Sequence, residues 1–102
     1  MKEPNFAPMY AAMYPMLSEL TRKHGYALAV HGSVARDFDL VCIPWVECPS
    51  NPKTVVRAMV NEFAIKEVSE PEIKEHGRKV FTLSIGFGEC FLDLSFMPIT
   101  QK

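Results

Sequence analysis

The sequence predicts a small α+β domain, a four-stranded antiparallel or mixed sheet with two helices on one face, in the order α-β-β-α-β-β. Two stretches place apolar residues at helical spacing, and four shorter apolar runs are bounded by glycine, serine and proline. A length of 102 residues fits one domain over residues 1–102, with a single core.

The first predicted helix extends from Phe6 to His24. Asn5 is a candidate for its N-cap, and Gly25 is a natural stop. Pro15 predicts either a kink or a second helix start within this stretch. The residues of its apolar face are spaced by threes and fours, and they are Met9, Met13, Met16, Leu17 and Leu20.

Two strands are predicted next, over Tyr26–His31 and Asp37–Trp45. Only Gly32–Arg36 separates them, which is too short for the crossover that parallel neighbours need. If the two strands are adjacent in the sheet, we expect them to pair in antiparallel fashion.

The second predicted helix begins with Ser50 or Asn51 as N-cap and Pro52 at its first position. The polar stretch Glu67–Gly77 is a long loop or a short extra element. Two further strands are predicted as a hairpin whose turn is Gly86–Glu89. They cover Lys79–Ile85 and Cys90–Met97.

Composition argues against several classes of protein. Eleven basic residues stand against 12 acidic ones, which leaves no basic field for generic duplex nucleic acid. The three cysteines lack C-x-x-C spacing, which argues against a disulfide scaffold or a thiolate zinc site. No apolar run approaches the ~20 residues of a membrane span, and no signal-peptide pattern begins the chain. We therefore expect a cytoplasmic protein that makes no membrane contact.

The candidate site begins with two carboxylates at the start of the second strand. Asp37 and Asp39 are two residues apart and so share one face of that strand. Such a pair repels unless a divalent cation or a proton lies between the two groups. The preceding turn contains His31, which is a candidate for a phosphate contact or for acid–base chemistry.

A third carboxylate, Asp93, interrupts the apolar last strand. Left unpaired and buried there, it would cost several kcal/mol. It is therefore exposed, paired with a base such as Arg36 or Lys79, or opposed to Asp37 and Asp39 across a metal. The last alternative requires the final strand to lie beside the second one.

These residues resemble the DNA-polymerase-β-like nucleotidyltransferase superfamily, in particular its minimal members. The resemblance lies in a hydrophobic strand, a Gly-Ser turn, an Asp-x-Asp strand and a third acid between apolar neighbours in a later strand. The matching residues here are Gly32, Ser33, Asp37, Asp39 and Asp93.

The resemblance implies binding of a nucleotide with Mg²⁺ and transfer of a nucleotidyl group to a hydroxyl. Asp37 and Asp39 would hold the metal, and Asp93 would help to activate the acceptor oxygen. The phosphates would contact four residues of the turn, namely His31, Gly32, Ser33 and Arg36.

Two alternatives remain open. Only three residues separate Ser33 from Asp37, about half the family's usual number or less, and the stretch His31–Leu40 also resembles small phage-encoded proteins. The first alternative is therefore a non-catalytic phage accessory protein that sequesters a nucleotide signal or inhibits a host protein. The second is an interaction module whose methionine, phenylalanine and tryptophan surface forms a homodimer.

Overall fold

A computed structural model describes residues 6–32, 34, 37–63, 65–68, 70–74, 77–85 and 90–98. It has the α+β architecture that the sequence predicts. The elements in chain order are α1 (Ala7–Lys23), β1 (Tyr26–Val30), β2 (Asp37–Pro44), α2 (Pro52–Glu62), β3 (Lys66–Glu67), β4 (Glu72–Ile73), β5 (Lys79–Ser84) and β6 (Phe91–Phe96). Among these described residues, neither α1 nor α2 has the length and apolar character needed to cross a bilayer.

The strands form one mixed sheet of order β1-β2-β6-β5-β3, with β4 also paired to β5. The prediction of four strands was wrong in number, because Lys66–Glu67 and Glu72–Ile73 add two short strands beside β5. Such two-residue strands have no alternation from which a sequence pattern can be recognised. The four long strands are the predicted ones, and β1 pairs with β2 in antiparallel fashion, as expected.

The pairing of β2 with β6 is parallel and lies at the centre of the sheet. Its register sets Asp39 opposite Asp93 and Leu40 opposite Leu94. A parallel pair requires a long connection, and here α2, β3, β4 and β5 all lie between the two strands in the chain.

Both helices cover the same face of the sheet, as predicted. The ring of Tyr10 in α1 stacks on Phe38 of β2, with centroids 4.8 Å apart. Lys53 of α2 lies over Phe81 of β5, with its Nζ 5.9 Å from the ring centroid. The side chains that alternate with this covered set form what we call the open face. Its members are Ala27, Ala29, Asp37, Asp39, Val41, Ile43, Val80, Thr82, Ser84, Phe91, Asp93 and Ser95.

The helix ends follow local sequence chemistry. Asn51 caps α2, since its Oδ1 accepts a hydrogen bond of 2.9 Å from the backbone N–H of Lys53. The other helix, α1, runs through Pro15 and does not restart there. Its predicted cap, Asn5, lies outside the described residues. Gly25 ends this region with φ +91°, where a Cβ would lie 2.6 Å from the Val46 side chain.

Candidate functional site

The candidate site is built around the carboxyl groups of Asp39 and Asp93. The two residues are directly paired across β2 and β6, and both side chains project from the open face. Burial raises the pKa of Asp93 above its ordinary value, and the charge of Asp39 and a hydrogen bond between the two carboxyl groups raise it further. Asp93 therefore retains its proton to a higher pH than an isolated, exposed carboxyl group does.

A row of polar side chains extends from this pair in both directions. The backbone N–H of His31 donates to the carbonyl of Asp39 at 3.0 Å, which continues the β1–β2 pairing by one residue. On the other side, Thr82 is paired with Asp93, and its hydroxyl donates a long hydrogen bond of 3.4 Å to Asp93 Oδ1. The order across the open face is His31, Asp39, Asp93 and Thr82, which we call the acid row.

Gly32 brings the backbone of the turn against the acid row. Its φ of +73° lies in the left-handed region, and a Cβ there would come within 3.2 Å of Asp39 Oδ2. The carboxylate of Asp39 is therefore close to the main chain of Gly32, and a side chain at this position would crowd it. Ser33 and Arg36, the other predicted turn ligands, lie outside the described residues.

Asp37 stands at the start of β2, exposed and opposite Phe91. It shares the open face with Asp39, one strand repeat of ~6.6 Å away. Burial and the neighbouring Cys90 raise the pKa of Tyr10 to about 12, and the charge of Asp37 adds to that shift. Within the described residues, no group of three or more His, Cys, Asp or Glu side chains has the spacing of a metal site.

The structure also decides how Asp93 is accommodated. Lys79 is not its partner, because the Lys79 ammonium lies 5.7 Å from the ring centroid of Phe81 on the helix-covered side. Instead, the charge of Lys74 lowers the pKa of Asp93, as does the hydrogen bond from Thr82. Sequence reasoning missed both residues. Alternation along β5 places Thr82 on the correct face, but only the register places it next to Asp93.

An apolar cavity adjoins the same end of the sheet on its helix-covered side. Its volume is about 300 Å³, and its walls include Tyr10, Tyr14, Val30, Val34 and Phe38. The Tyr14 hydroxyl donates a hydrogen bond to the carbonyl of Leu28. The cavity therefore offers space for an apolar or aromatic group close to the turn that contains Gly32.

Comparisons with protein-family models, with curated proteins and with solved structures found no match for this chain. The likeness to nucleotidyltransferases therefore stays a prediction from the motif residues.

Proposed function

We propose that the protein binds a nucleotide together with Mg²⁺ at the acid row. The observation that supports this most directly is the opposition of Asp39 and Asp93 on the open face. A divalent cation between two such carboxylates would remove their repulsion and compete with the proton on Asp93. Asp37, on the same face, supplies a further carboxylate for the metal or for its bound waters.

Mg²⁺ is the cation that suits this donor set. It prefers oxygen ligands, keeps several waters, and is commonly held by one or two carboxylates together with the phosphates of a substrate. Asp39 and Asp93 provide two carboxylates, and Asp37 lies one strand repeat of ~6.6 Å away on the same face. The remaining coordination positions would then go to phosphate oxygens and water.

The turn after β1 is the proposed phosphate contact. Gly32 has the left-handed conformation that lets backbone N–H groups approach an anion closely. His31 is exposed beside it and is a candidate to donate to a phosphate oxygen. Ser33 and Arg36 are proposed to complete the contact, as the motif implies.

If the protein is an enzyme, we propose that it transfers a nucleotidyl group to a hydroxyl. The hydroxyl oxygen of an acceptor attacks the α-phosphorus, the bond from that phosphorus to the bridging oxygen breaks, and pyrophosphate leaves. Asp93 would take the proton of the acceptor hydroxyl, as the resemblance implies. The metal would stabilise the charge that develops on the phosphate oxygens.

The non-catalytic alternative has an observation in its favour. The connection between Val30 and Asp37 contains only residues 31–36, which is little room for a helix that cradles a triphosphate. In this form the protein would hold the Mg²⁺–nucleotide complex without breaking it, as a phage accessory protein that sequesters a nucleotide signal would do.

Titration calorimetry with ATP and with GTP, in Mg²⁺ and then in EDTA, tests the proposal. Binding is expected only with Mg²⁺, and Asp39→Asn or Asp93→Asn is expected to weaken it about tenfold or more. Glu19→Gln, an exposed acid on α1, is the matched control and should bind like the unchanged protein. Binding that both aspartate substitutions leave intact would refute the site. Pyrophosphate release with acceptor hydroxyls present separates the catalytic from the non-catalytic form.

A further inference from the structure

We propose that the outer edge of β1, the side that does not pair with β2, is a strand-addition site for the β1 of a second copy, and that Tyr14 keeps this site closed. Among the described strands, β1 is the first in the sheet and pairs only with β2. Its five residues, Tyr26–Val30, include neither a charged side chain nor a proline. Sheets usually protect their edges with charges, prolines or very short strands, and β1 has none of these.

The opposite edge of the described sheet has the usual protection. It consists of β3 and β4, which are two residues long and exposed. Three of these four residues are charged, and Lys53 and Lys74 form ion pairs with Glu67 and Glu72 there. Short, charged strands of this kind resist pairing with another chain. The two edges therefore differ, and the edge of β1 is the one suited to strand addition.

The hydrogen bonds of β1 show which of its main-chain groups point away from β2. The N–H of His31 donates to the carbonyl of Asp39 at 3.0 Å, in the same register as the β1–β2 pair. In an antiparallel pair, residues that bond to the partner alternate with residues that bond outward. Tyr26, Leu28 and Val30 therefore direct their N–H and C=O groups to the outer edge, where an added strand would bind them.

Tyr14 of α1 engages the central one of these outward groups. Its hydroxyl donates a hydrogen bond to the carbonyl of Leu28. Because that carbonyl points to the outer edge, the hydroxyl occupies the acceptor that the N–H of an incoming strand requires. The phenol group therefore competes with an added strand for the middle of β1.

The side chains of β1 favour a second copy of β1 as the added strand. Large and small residues alternate symmetrically about the central leucine, in the order Tyr26, Ala27, Leu28, Ala29 and Val30. In an antiparallel two-fold pair centred on Leu28, alanines lie opposite alanines on the open face, and large side chains lie opposite each other on the helix-covered side. Val30, 44% accessible in the single chain, would become covered. The two Leu28 residues would exchange both of their hydrogen bonds, so the carbonyl that α1 engages is the centre of this pair.

Sedimentation velocity in EDTA, over concentrations from about 1 to 100 μM, tests this inference. The unchanged protein is expected to be a monomer. Tyr14→Phe frees the Leu28 carbonyl and keeps the ring, and it is expected to dimerise at the upper end, with a dissociation constant lower by about tenfold or more. Tyr26→Phe is the matched control, because it deletes a tyrosine hydrogen bond to the carbonyl of Ser50 and leaves Leu28 unchanged. It should remain a monomer.

A second substitution, Val30→Pro, tests whether the dimer forms through the outer edge. The N–H of Val30 points away from β2, so proline deletes an outward donor and leaves the β1–β2 ladder intact. Combined with Tyr14→Phe, it is expected to restore the monomer. Val30→Lys in the same background provides this test without a proline. Amide hydrogen exchange gives a local measurement, because the N–H of Leu28 should be protected in the Tyr14→Phe dimer.

Circular dichroism establishes that each variant is folded. A folded Tyr14→Phe variant that stays monomeric at every concentration would overturn the inference. So would a Tyr14→Phe dimer that both Val30 substitutions leave intact, since it would form through another surface. An unchanged protein that dimerises as strongly as Tyr14→Phe would overturn the closing role of Tyr14.

Discussion

Asp39 and Asp93 face each other across the parallel pair of β2 and β6, with both carboxyl groups on the face that neither helix covers. Like charges directly opposite in a sheet are destabilising. The pair therefore lowers the free energy of unfolding when neither a proton nor a cation neutralises it. Because of this repulsion, the stability of the protein should depend on pH and on bound metal. The dependence can be measured without knowing the ligand.

Asp93→Asn is expected to stabilise the metal-free protein at neutral pH, because it removes one of two opposed charges. The gain should be about 0.2–1 kcal/mol, the range for cross-strand pairs, since both groups are partly solvated. Urea unfolding in EDTA measures it. Thr82→Val is expected to destabilise the protein instead, because it deletes a hydrogen bond that lowers the pKa of Asp93 and so stabilises its charged form. Asp93→Asn that destabilises at neutral pH would contradict this account of the pair.

The pH dependence follows from the direction of the Asp93 shift. The folded pKa is raised above its ordinary value of 3.8, so the folded state binds more protons than the unfolded state between those two values. Stability from this carboxyl is present below the ordinary pKa and is lost as pH rises through the folded pKa. The difference between Asp93→Asn and the unchanged protein should therefore shrink at low pH, which unfolding curves at several pH values would show.

Gly32→Ala is expected to reduce both stability and Mg²⁺-dependent nucleotide binding. A left-handed backbone costs a residue with a Cβ about 1–2 kcal/mol, and this Cβ also presses on Asp39 Oδ2. Gly77→Ala is the matched control, because Gly77 has a similar φ of +74° but its Cβ would meet Pro98 at an ordinary 3.7 Å. We expect Gly77→Ala to lose stability and to retain binding. Equal nucleotide binding by Gly32→Ala and Gly77→Ala would show that Gly32 is not part of the binding site.

Asn51→Ala is expected to destabilise the fold by about 1 kcal/mol, because it leaves the N–H of Lys53 without its cap. Asn51→Asp retains an acceptor at the same place and should cost much less. Urea unfolding of the three proteins provides the comparison. A loss as large for Asn51→Asp as for Asn51→Ala would mean that the amide group acts through another contact.

The three cysteines should differ in reactivity. Burial raises the pKa of the Cys42 thiol, so little thiolate is present to react, and Cys90 is also buried. Cys48 is exposed. Alkylation with iodoacetamide followed by peptide mass spectrometry is expected to modify Cys48 in the folded protein and the other two only in denaturant. Rapid modification of Cys42 without denaturant would show that the core opens more readily than its packing suggests.

The helices and the four long strands could be predicted because each depends on residues that are close together in the sequence. Apolar spacing, the cap at Asn51 and the short connection between β1 and β2 are properties of neighbouring residues. The site was predictable in part for the same reason, since Asp37 and Asp39 are two residues apart and share a face of one strand.

What the sequence determined by itself is therefore the α+β class, the helix-covered core and the identity of the candidate acids. The tertiary structure alone decided that β6 lies parallel to β2, that Asp93 stands opposite Asp39, and that Thr82 and Lys74 share in its environment. The physical reason is that strand order and register depend on packing between segments far apart in the chain. Alternation in the sequence predicts which face of its own strand a residue occupies, but it does not predict which residue lies opposite on the neighbouring strand.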